Sequence, residues 1–595
     1  MSDAPIVGID LGTTHSLCAL FRDGRPEIVP NALGERLTPS AVGVVDQDQV
    51  IVGRAALELA VTRPEAVARC FKRAMGTDQS FELAGRRFRA PELSSLVLRS
   101  LKSDAEQLLG REVRDAVITV PAYFNDHQRQ ATKLAGELAG LVVRRIVNEP
   151  TAAALAYGYD DKQLEKRLLV FDLGGGTFDV TLMEVFEGAL EITSTAGEGL
   201  LGGEDFTQRL AGWALRERGL NMEVAELTHP LLVARLRVEC ERAKRALSAE
   251  PEVRIRIPDE SGHFADEAPT LSIDRASFAE QSRRLLERLE APLARALRDG
   301  SCAPEEIDEV ILVGGATRMP LVVDFVRDKL GKEPRCQHDP DEVVALGAAV
   351  QAALIASDRA VEDLVLTDVC PFTLGVKITK RIGNQLRPGY YLPIIHRNTT
   401  IPVSREESVA TVSPNQREVN IGIYQGESRR VEDNLFLGEL QVVGIPPGPA
   451  GQEVLIRFTY DLNGILEVEA VLPSSGERFQ TVITQHVRGL SPEEVRRSLA
   501  ALQQLKFYPR DELPNRQLLH FAERVVGELP SFEREGFEAA LDFYEGALAG
   551  GDRELFARAR DELLLTLSRL GFPFEEEGPS PERPPSPGGV PEGDG

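Results

Sequence analysis

Two segments constrain this chain more than any others. Val7-Gly8-Ile9-Asp10-Leu11-Gly12-Thr13-Thr14 and Val170-Phe171-Asp172-Leu173-Gly174-Gly175-Gly176-Thr177 share one pattern: an apolar strand ending in Asp, then glycine, then Thr. Glycines let backbone N–H groups close around phosphate oxygens, and Thr adds a hydroxyl donor. An Asp beside a polyphosphate is repelled unless a cation stands between them, so Asp10 and Asp172 imply Mg2+ held through water. One such hairpin alone reads equally as an ordinary Gly-rich turn. The repetition predicts a duplicated α/β lobe with nucleotide in the cleft between the copies.

The first 360 residues carry the matching grammar of short apolar strands alternating with amphipathic helices. Ala4–Asp10, Asp115–Val120, Arg167–Asp172 and Glu309–Val313 read as strands, and Leu93–Leu109, Asp126–Ala139 and His229–Leu247 as helices. A third Gly pair closes the strand Ile311-Leu312-Val313-Gly314-Gly315-Ala316-Thr317-Arg318. Glu241, Lys244, Arg245 and Ser248 fall on one face of their helix, a stripe able to grip a ribose and stack an Arg on adenine. Charged stripes are usually solvated surface, and taken alone this one reads that way. Gly197-Glu198-Gly199-Leu200-Leu201-Gly202 matches the dinucleotide fingerprint but lacks its compact βαβ setting. The sequence holds no Walker A, H-E-x-x-H or G-x-S-x-G motif, which removes P-loop NTPases, zincins and α/β-hydrolases.

From about Val369 to His486 the texture changes to alternation with frequent turns, and Asn463-Gly464 marks a hairpin. This is an antiparallel β-domain. Ser491-Pro492-Glu493-Glu494 is a capping box that opens helical patterning to about Leu570. Glu575–Gly595, with six prolines, five glycines and six acidic residues, predicts a disordered tail. The 68 basic against 93 acidic residues, a net charge of −25, argue against a nucleic-acid or membrane-surface partner. No apolar run is long enough to cross a membrane; the best, Ala345–Ala356, includes Gln351. No leader peptide is visible, and the six cysteines are scattered singly, so a reducing cytoplasm fits best.

Together these motifs resemble the DnaK-type heat-shock chaperones of the seventy-kilodalton class. The likeness is carried by the two hairpins, Val120-Pro121-Ala122-Tyr123-Phe124, Asn148-Glu149-Pro150-Thr151-Ala152-Ala153, Leu201-Gly202-Gly203-Glu204-Asp205-Phe206 and Val313–Pro320, in the family's order. It implies a duplicated, actin-like (ribonuclease-H-like) α/β ATPase domain over 1–360, a linker over 361–368, and an antiparallel β-sandwich peptide-binding domain over 369–488. A short helical lid over 489–574 and the acidic tail over 575–595 follow. The implied function is an ATP-dependent chaperone that binds extended apolar segments of unfolded clients. Two rivals stay open: a relative that binds nucleotide without hydrolysing it and serves as scaffold or exchange factor, and a small-molecule kinase of the actin-like fold.

Residue roles follow from the same resemblance. Lys72 looks like the lysine that orients the attacking water and γ-phosphate; only 11 of the 68 basic residues are Lys, although an exposed, salt-bridged Lys is the ordinary alternative. Glu149 and Asp172 look like the carboxylates that arrange water and Mg2+, with Asp10, Thr177 and Asp179 completing the set. Gly12, Thr13, Thr14, His15, Gly174, Gly175, Gly176, Gly202 and Gly203 would surround the phosphates. Glu241, Lys244, Arg245 and Ser248 match the adenosine helix, and Gly314, Gly315, Arg318 and Asp341 its partner loop. The implied cofactors are ATP/ADP and Mg2+, with K+ a further candidate. Asp363, Leu364, Val365, Leu366 and Asp368 resemble the docking linker, and Pro121 and Arg129 the relay to it. Arg145, Asn148, Thr151 and Asp368 match positions that engage a J-domain co-chaperone; an exchange factor is a further implied partner. Val376, Val409, Val412, Val419 and Ile421 resemble the lining and bridge of the peptide pocket, although plain sandwich core is the alternative.

The chain departs from the pattern in places. His15 stands where Asn or Tyr is usual, and a neutral, satisfied His is the simpler reading. Met75–Pro91 and the lid are short, and Thr379 with Val412 occupies the bridge over the peptide. The short lobe, the short lid and Lys506-Phe507-Tyr508-Pro509-Arg510 look most like the HscC-type bacterial branch, whose members are specialised.

Overall fold

A computed structural model describes residues 5–45, 49–160, 165–186, 189–265, 267–335, 338–361, 365–382, 385–462, 464–483, 492–507, 513–529, 531–550 and 553–574. The expected disordered tail, Asp363 and Leu364 of the linker, Asn463 and Ser491 lie outside the described residues.

Two mixed sheets share one connectivity. In the first, Ile6–Leu11 runs parallel to Asp115–Val120 and antiparallel to His15–Arg22. In the second, Lys166–Leu173 runs parallel to Glu309–Val313 and antiparallel to Phe178–Phe186. Asp10 and Asp172 therefore sit one residue from the ends of equivalent strands, each opening into its Gly-Thr hairpin. Each strand carries an unbroken apolar stretch, Ile6–Ile9 and Leu168–Phe171, because both faces are covered; Val7, Ile9, Val170 and Phe171 are wholly buried. The helix Val343–Ala356 lies against Ile6–Leu11 and the helix Glu149–Asp160. It is apolar nearly all round, as a helix enclosed on every side should be. This is the stretch that came nearest to a membrane span, and no described helix is long and apolar enough to be one.

The β-domain is two four-stranded antiparallel sheets. One runs Gln385–Ile395, Leu374–Ile382, Glu418–Gln425, Leu435–Val443, the other Val403–Ala410, Glu453–Tyr460, Leu466–Val471, Arg478–Ile483. Their inner faces share one core. The segment Val365–Val369 is a strand, parallel to Ala189–Glu198 with Leu366 opposite Leu190, and Asp368 pairs onward with Ile401. A linker with apolar residues thus extends the second sheet and ties it to the β-domain.

Helical patterning in the C-terminal region is observed as Pro492–Gln504, Leu513–Val526, Ser531–Gly550 and Arg553–Arg569. Two features were not expected. Val495, Leu499, Leu502 and Leu505 pack into the core of the first lobe rather than against the β-domain. Their spacing gives one helical face, but spacing does not say which domain receives it. Lys506–Phe507 then pairs in parallel with the edge strand Gln49–Val52. A two-residue strand has no periodicity to detect.

Candidate functional site

The two hairpins meet tip to tip. A Cβ on Gly175 would come within 2.3 Å of Thr14 Oγ1, and one on Gly176 within 2.4 Å of Thr13 Cγ2. Behind them Gly202 presses on the second hairpin, where an added Cβ would lie 2.4 Å from the Gly176 nitrogen. The backbone locks this stance. Gly174 N donates to Thr177 O at 3.1 Å, Gly203 N to Gly174 O and Glu204 N to Gly175 O, both at 2.9 Å.

Below the tips lies a small chamber of about 60 Å³ lined by Asp10, Gly12, Lys72, Glu149, Asp172, Gly174, Thr177 and Gly314 among others. Lys72 Nζ donates to Glu149 Oε1 at 2.7 Å, both side chains being buried. Thr119 Oγ1 donates to Asp10 Oδ1 at 3.0 Å, and Tyr123 N to Asp179 Oδ1 at 3.1 Å. The chamber gathers Asp10, Glu149 and Asp172 around one lysine, with Asp179 near enough to feel both Glu149 and Lys72. Burial, reinforced by Glu149, pushes Asp10 and Asp179 up to about 7 and Asp172 well above the ordinary carboxylate range. Asp172 Oδ2 is buried with no hydrogen-bond partner. Surplus negative charge and an orphaned carboxylate oxygen are what a cation would relieve.

Above the tips the cleft widens into a cavity of about 340 Å³. Its lining includes Thr13, Thr14, His15, Gly175, Gly203, Glu241, Lys244, Arg245, Ser248, Gly315, Arg318 and Asp341. The helix Pro230–Ala246 supplies the charged stripe. Lys244 Nζ reaches Gly203 O at 3.0 Å and Thr207 Oγ1 at 2.9 Å, and Arg245 Nε pairs with Glu241 Oε1 at 2.7 Å. Burial opposes charge on Glu241, but Lys244 and Arg245 overcome it and hold the carboxyl down to about 2. Arg318 pairs with Asp339 and Asp341 at 2.6 and 2.9 Å. Burial and then Arg245 lower His15 to about 4, so it is a neutral imidazole beside Thr14 Oγ1 at 3.3 Å.

Sequence reasoning missed three supports. Arg73 Nε donates to Gly176 O at 3.1 Å while its guanidinium pairs with Asp205. Thr119 steadies Asp10, and Ser40 Oγ donates to Gly12 O at 2.7 Å. Arg73 adjoins Lys72, and Thr119 lies on the parallel strand beside Asp10. Neither has a motif of its own, and pairing register is the signal that finds Thr119.

From the chamber a hydrogen-bonded path runs to the linker strand. Past Asp179 and Tyr123, in the loop that begins at Pro121, Arg129 donates to Ala122 O and Phe124 O at 3.0 Å and to Asn148 Oδ1 at 2.6 Å. Asn148 Nδ2 donates to Asp368 Oδ2 at 3.0 Å, and Thr151 Oγ1 to the same oxygen at 3.2 Å. Asn148 and Thr151 are buried here, whereas Arg145 is half-buried. The β-domain closes on this region: the Tyr123 and Phe372 rings stand 4.4 Å apart, and Arg397 pairs with Asp299 at 2.8 Å. Within the β-domain the residues singled out separate. Val376 and Ile421 are buried core, Val409 and Val419 are half-buried against it, and Val412 is exposed.

A family description of Hsp70 proteins matches residues 6–83 and 77–517. The chain belongs to the Hsp70 family. The chaperone protein DnaK of Thermotoga petrophila is 43% identical over 505 residues, 83% of this chain and 82% of its own. That of Thermosipho melanesiensis is 38% identical over 586 residues, 95% and 96% respectively. As an Hsp70 of the DnaK type, the chain is an ATP-dependent chaperone and an ATPase that binds client polypeptides. The rival readings as a non-hydrolysing scaffold or a small-molecule kinase are not favoured.

Proposed function

We propose that ATP occupies the cleft of a duplicated actin-like domain with its phosphates between the two hairpins. The tip-to-tip meeting of Gly175 with Thr14 above the buried Lys72–Glu149 pair is the observation that supports this most. Adenosine would lie in the wider cavity against Glu241, Lys244, Arg245 and Ser248, with Gly315 and Arg318 opposite. Asp10 and Asp172, with Asp179 behind them, are the residues that would hold Mg2+ through water, and the ion would supply positive charge to offset that of the phosphates. Phosphoryl transfer to water asks chiefly for positioning and charge neutralisation. In this reading Lys72 and Glu149 orient the attacking water, and Thr177 with the hairpin amides takes up charge on the transferring phosphoryl group. His15, being neutral, gives that group a dipole rather than a charge.

The docked linker and β-domain are the arrangement we assign to the ATP-bound state. Hydrolysis would loosen the path Arg129–Asn148–Asp368 and free the strand Val365–Val369. The β-domain would hold an extended client against Val409 and Val419, with Val412 as the bridge. A J-domain would engage Arg145 first, because Asn148, Thr151 and Asp368 become reachable only when the linker leaves. An exchange factor and a dedicated client, in the manner of specialised relatives, complete the proposal.

The test is Thr177→Ala and Lys72→Ala. Single-turnover hydrolysis should fall by about 10²- to 10³-fold while ATP still binds. Unchanged hydrolysis in both variants refutes the assigned site.

A further inference from the structure

The cleft has a mouth, and the C-terminal helices cross it. Arg524, near the end of the helix Leu513–Val526, donates to Glu58 Oε2 at 2.7 Å; Glu58 belongs to the helix Arg54–Thr62 of the first lobe. The same guanidinium donates to Glu528 Oε1 at 2.6 Å. Glu528 turns to the second lobe, pairing with Arg235 at 3.3 Å and with Arg256 at 3.7 Å. Backbone bonds fix the crossing on the second lobe: Phe264 N donates to Gly527 O at 2.8 Å, Arg235 to Arg524 O and Arg256 to Glu528 O, both at 3.2 Å. These side chains are not loose surface charges. Arg235 is 6% exposed, Glu528 9%, Glu58 15% and Arg524 17%. One chain of ion pairs thus runs from first lobe to second without touching the proposed nucleotide contacts.

Beneath this crossing lies a cavity of about 860 Å³ whose lining includes Glu58, Arg524, Glu528 and Phe572. It shares Leu57, Arg69, Glu204 and Glu241 with the proposed nucleoside cavity. The larger space is therefore a vestibule to the nucleotide, and the C-terminal helices form its roof.

Resting on the nucleotide reading above, we propose that Arg524 and Glu528 are positioning residues that strap the two lobes together across the mouth of the cleft. Nucleotide then leaves only after the strap lifts. A helical region whose family role is to cover a client would here also set how long nucleotide stays. The physical ground is that lobe opening must break partly desolvated charge pairs, and such pairs act mainly on dissociation rates.

The experiment is release of a fluorescent, non-hydrolysable ATP analogue from the full-length protein, the nucleotide state to which the docked arrangement is assigned, chased with unlabelled ATP, beside single-turnover hydrolysis of ATP. Arg524→Gln and Glu528→Gln should each speed release about tenfold and leave hydrolysis within about twofold of wild type. Arg524→Lys, which keeps the charge, should retain most of the wild-type residence time. Unchanged release in both Gln variants overturns the proposal. So does an equal fall in hydrolysis, which would mean that these residues shape the cleft rather than hold its mouth. A wild-type protein that binds no analogue would instead contradict the nucleotide reading, a distinguishable result.

Discussion

The proposed nucleotide cleft and the β-domain differ in what fixes their residues. In the cleft, identity is dictated by charge and backbone room. A buried carboxylate cluster needs Lys72, and a hairpin packed on another hairpin needs glycine at Gly175, Gly176 and Gly202. In the β-domain, valine and isoleucine are interchangeable between core and pocket, and only burial separates Val376 and Ile421 from Val409 and Val419. Chemistry that tolerates one residue type is readable at a distance; chemistry that tolerates any aliphatic residue is not.

The sharpest way to break this contrast is to add one methyl group to the cleft. In Gly202→Ala the new Cβ meets backbone, Gly176 N at 2.4 Å and Gly175 C at 2.5 Å, so no side-chain movement relieves it and the second hairpin must shift. Nucleotide affinity should fall by about 10²-fold or more, since a tightly packed site loses both contacts and preorganisation. Isothermal titration with ATP measures it. Affinity within twofold of wild type would show that the hairpins are not held as rigidly as their packing indicates.

What could be read from residues alone divides along the same line. Asp10, Asp172, Thr177 and the glycines are legible because few chemistries place Asp-Leu-Gly followed by Thr at a strand end, twice. The charged stripe Glu241 to Ser248 was ambiguous by itself. In the structure that stripe lines the cavity, and Lys244 and Arg245 keep the buried Glu241 charged there. Thr119, Arg73 and Ser40 stayed hidden because their partners are backbone atoms or side chains brought near only by sheet register and packing. The C-terminal helices were legible as helices, but not their resting place. The face of Val495, Leu499 and Leu502 would suit any apolar groove, and the strap from Glu58 to Arg256 depends on contacts separated by 466 residues on one side and 272 on the other.

The β-domain gives the next test, smaller and directed at its ambiguity. Val376→Ala and Ile421→Ala remove wholly enclosed groups and should destabilise the domain by about 1–4 kcal/mol each. Thermal unfolding of the full chain reads this as an earlier first transition. Val409→Ala and Val419→Ala sit half-buried at the sheet faces and should leave that transition within a degree or two. Their effect should be a several-fold weaker affinity for an extended apolar peptide. Reversed behaviour, with Val376→Ala sparing stability and weakening peptide, would move the pocket inward and blur the division between core and site.

The smallest predicted effect lies where the two regions meet. Asp126 opens the helix Asp126–Leu138, its backbone N donating to Gln425 Oε1 of the β-domain at 3.1 Å, and neighbouring His127 contacts Phe436 O at 3.2 Å. Burial, opposed by Arg129, lifts the Asp126 carboxyl from 3.8 to about 7 in the docked arrangement. A raised acid pKa means that docking favours the protonated form. Docking should therefore be strongest below the ordinary carboxylate range, and should weaken as pH rises through about 7, where the buried group loses its proton. Resistance of the linker to proteolysis in ATP, followed from pH 6 to pH 8, should fall a few-fold. Asp126→Asn keeps the shape without the ionisation and should flatten that profile while leaving hydrolysis near wild type. A profile equally steep in Asp126→Asn would assign the pH response to another group in the interface. The buried Asp368, bonded to Asn148 and Thr151, would be next to replace, because burial raises its pKa in the same direction.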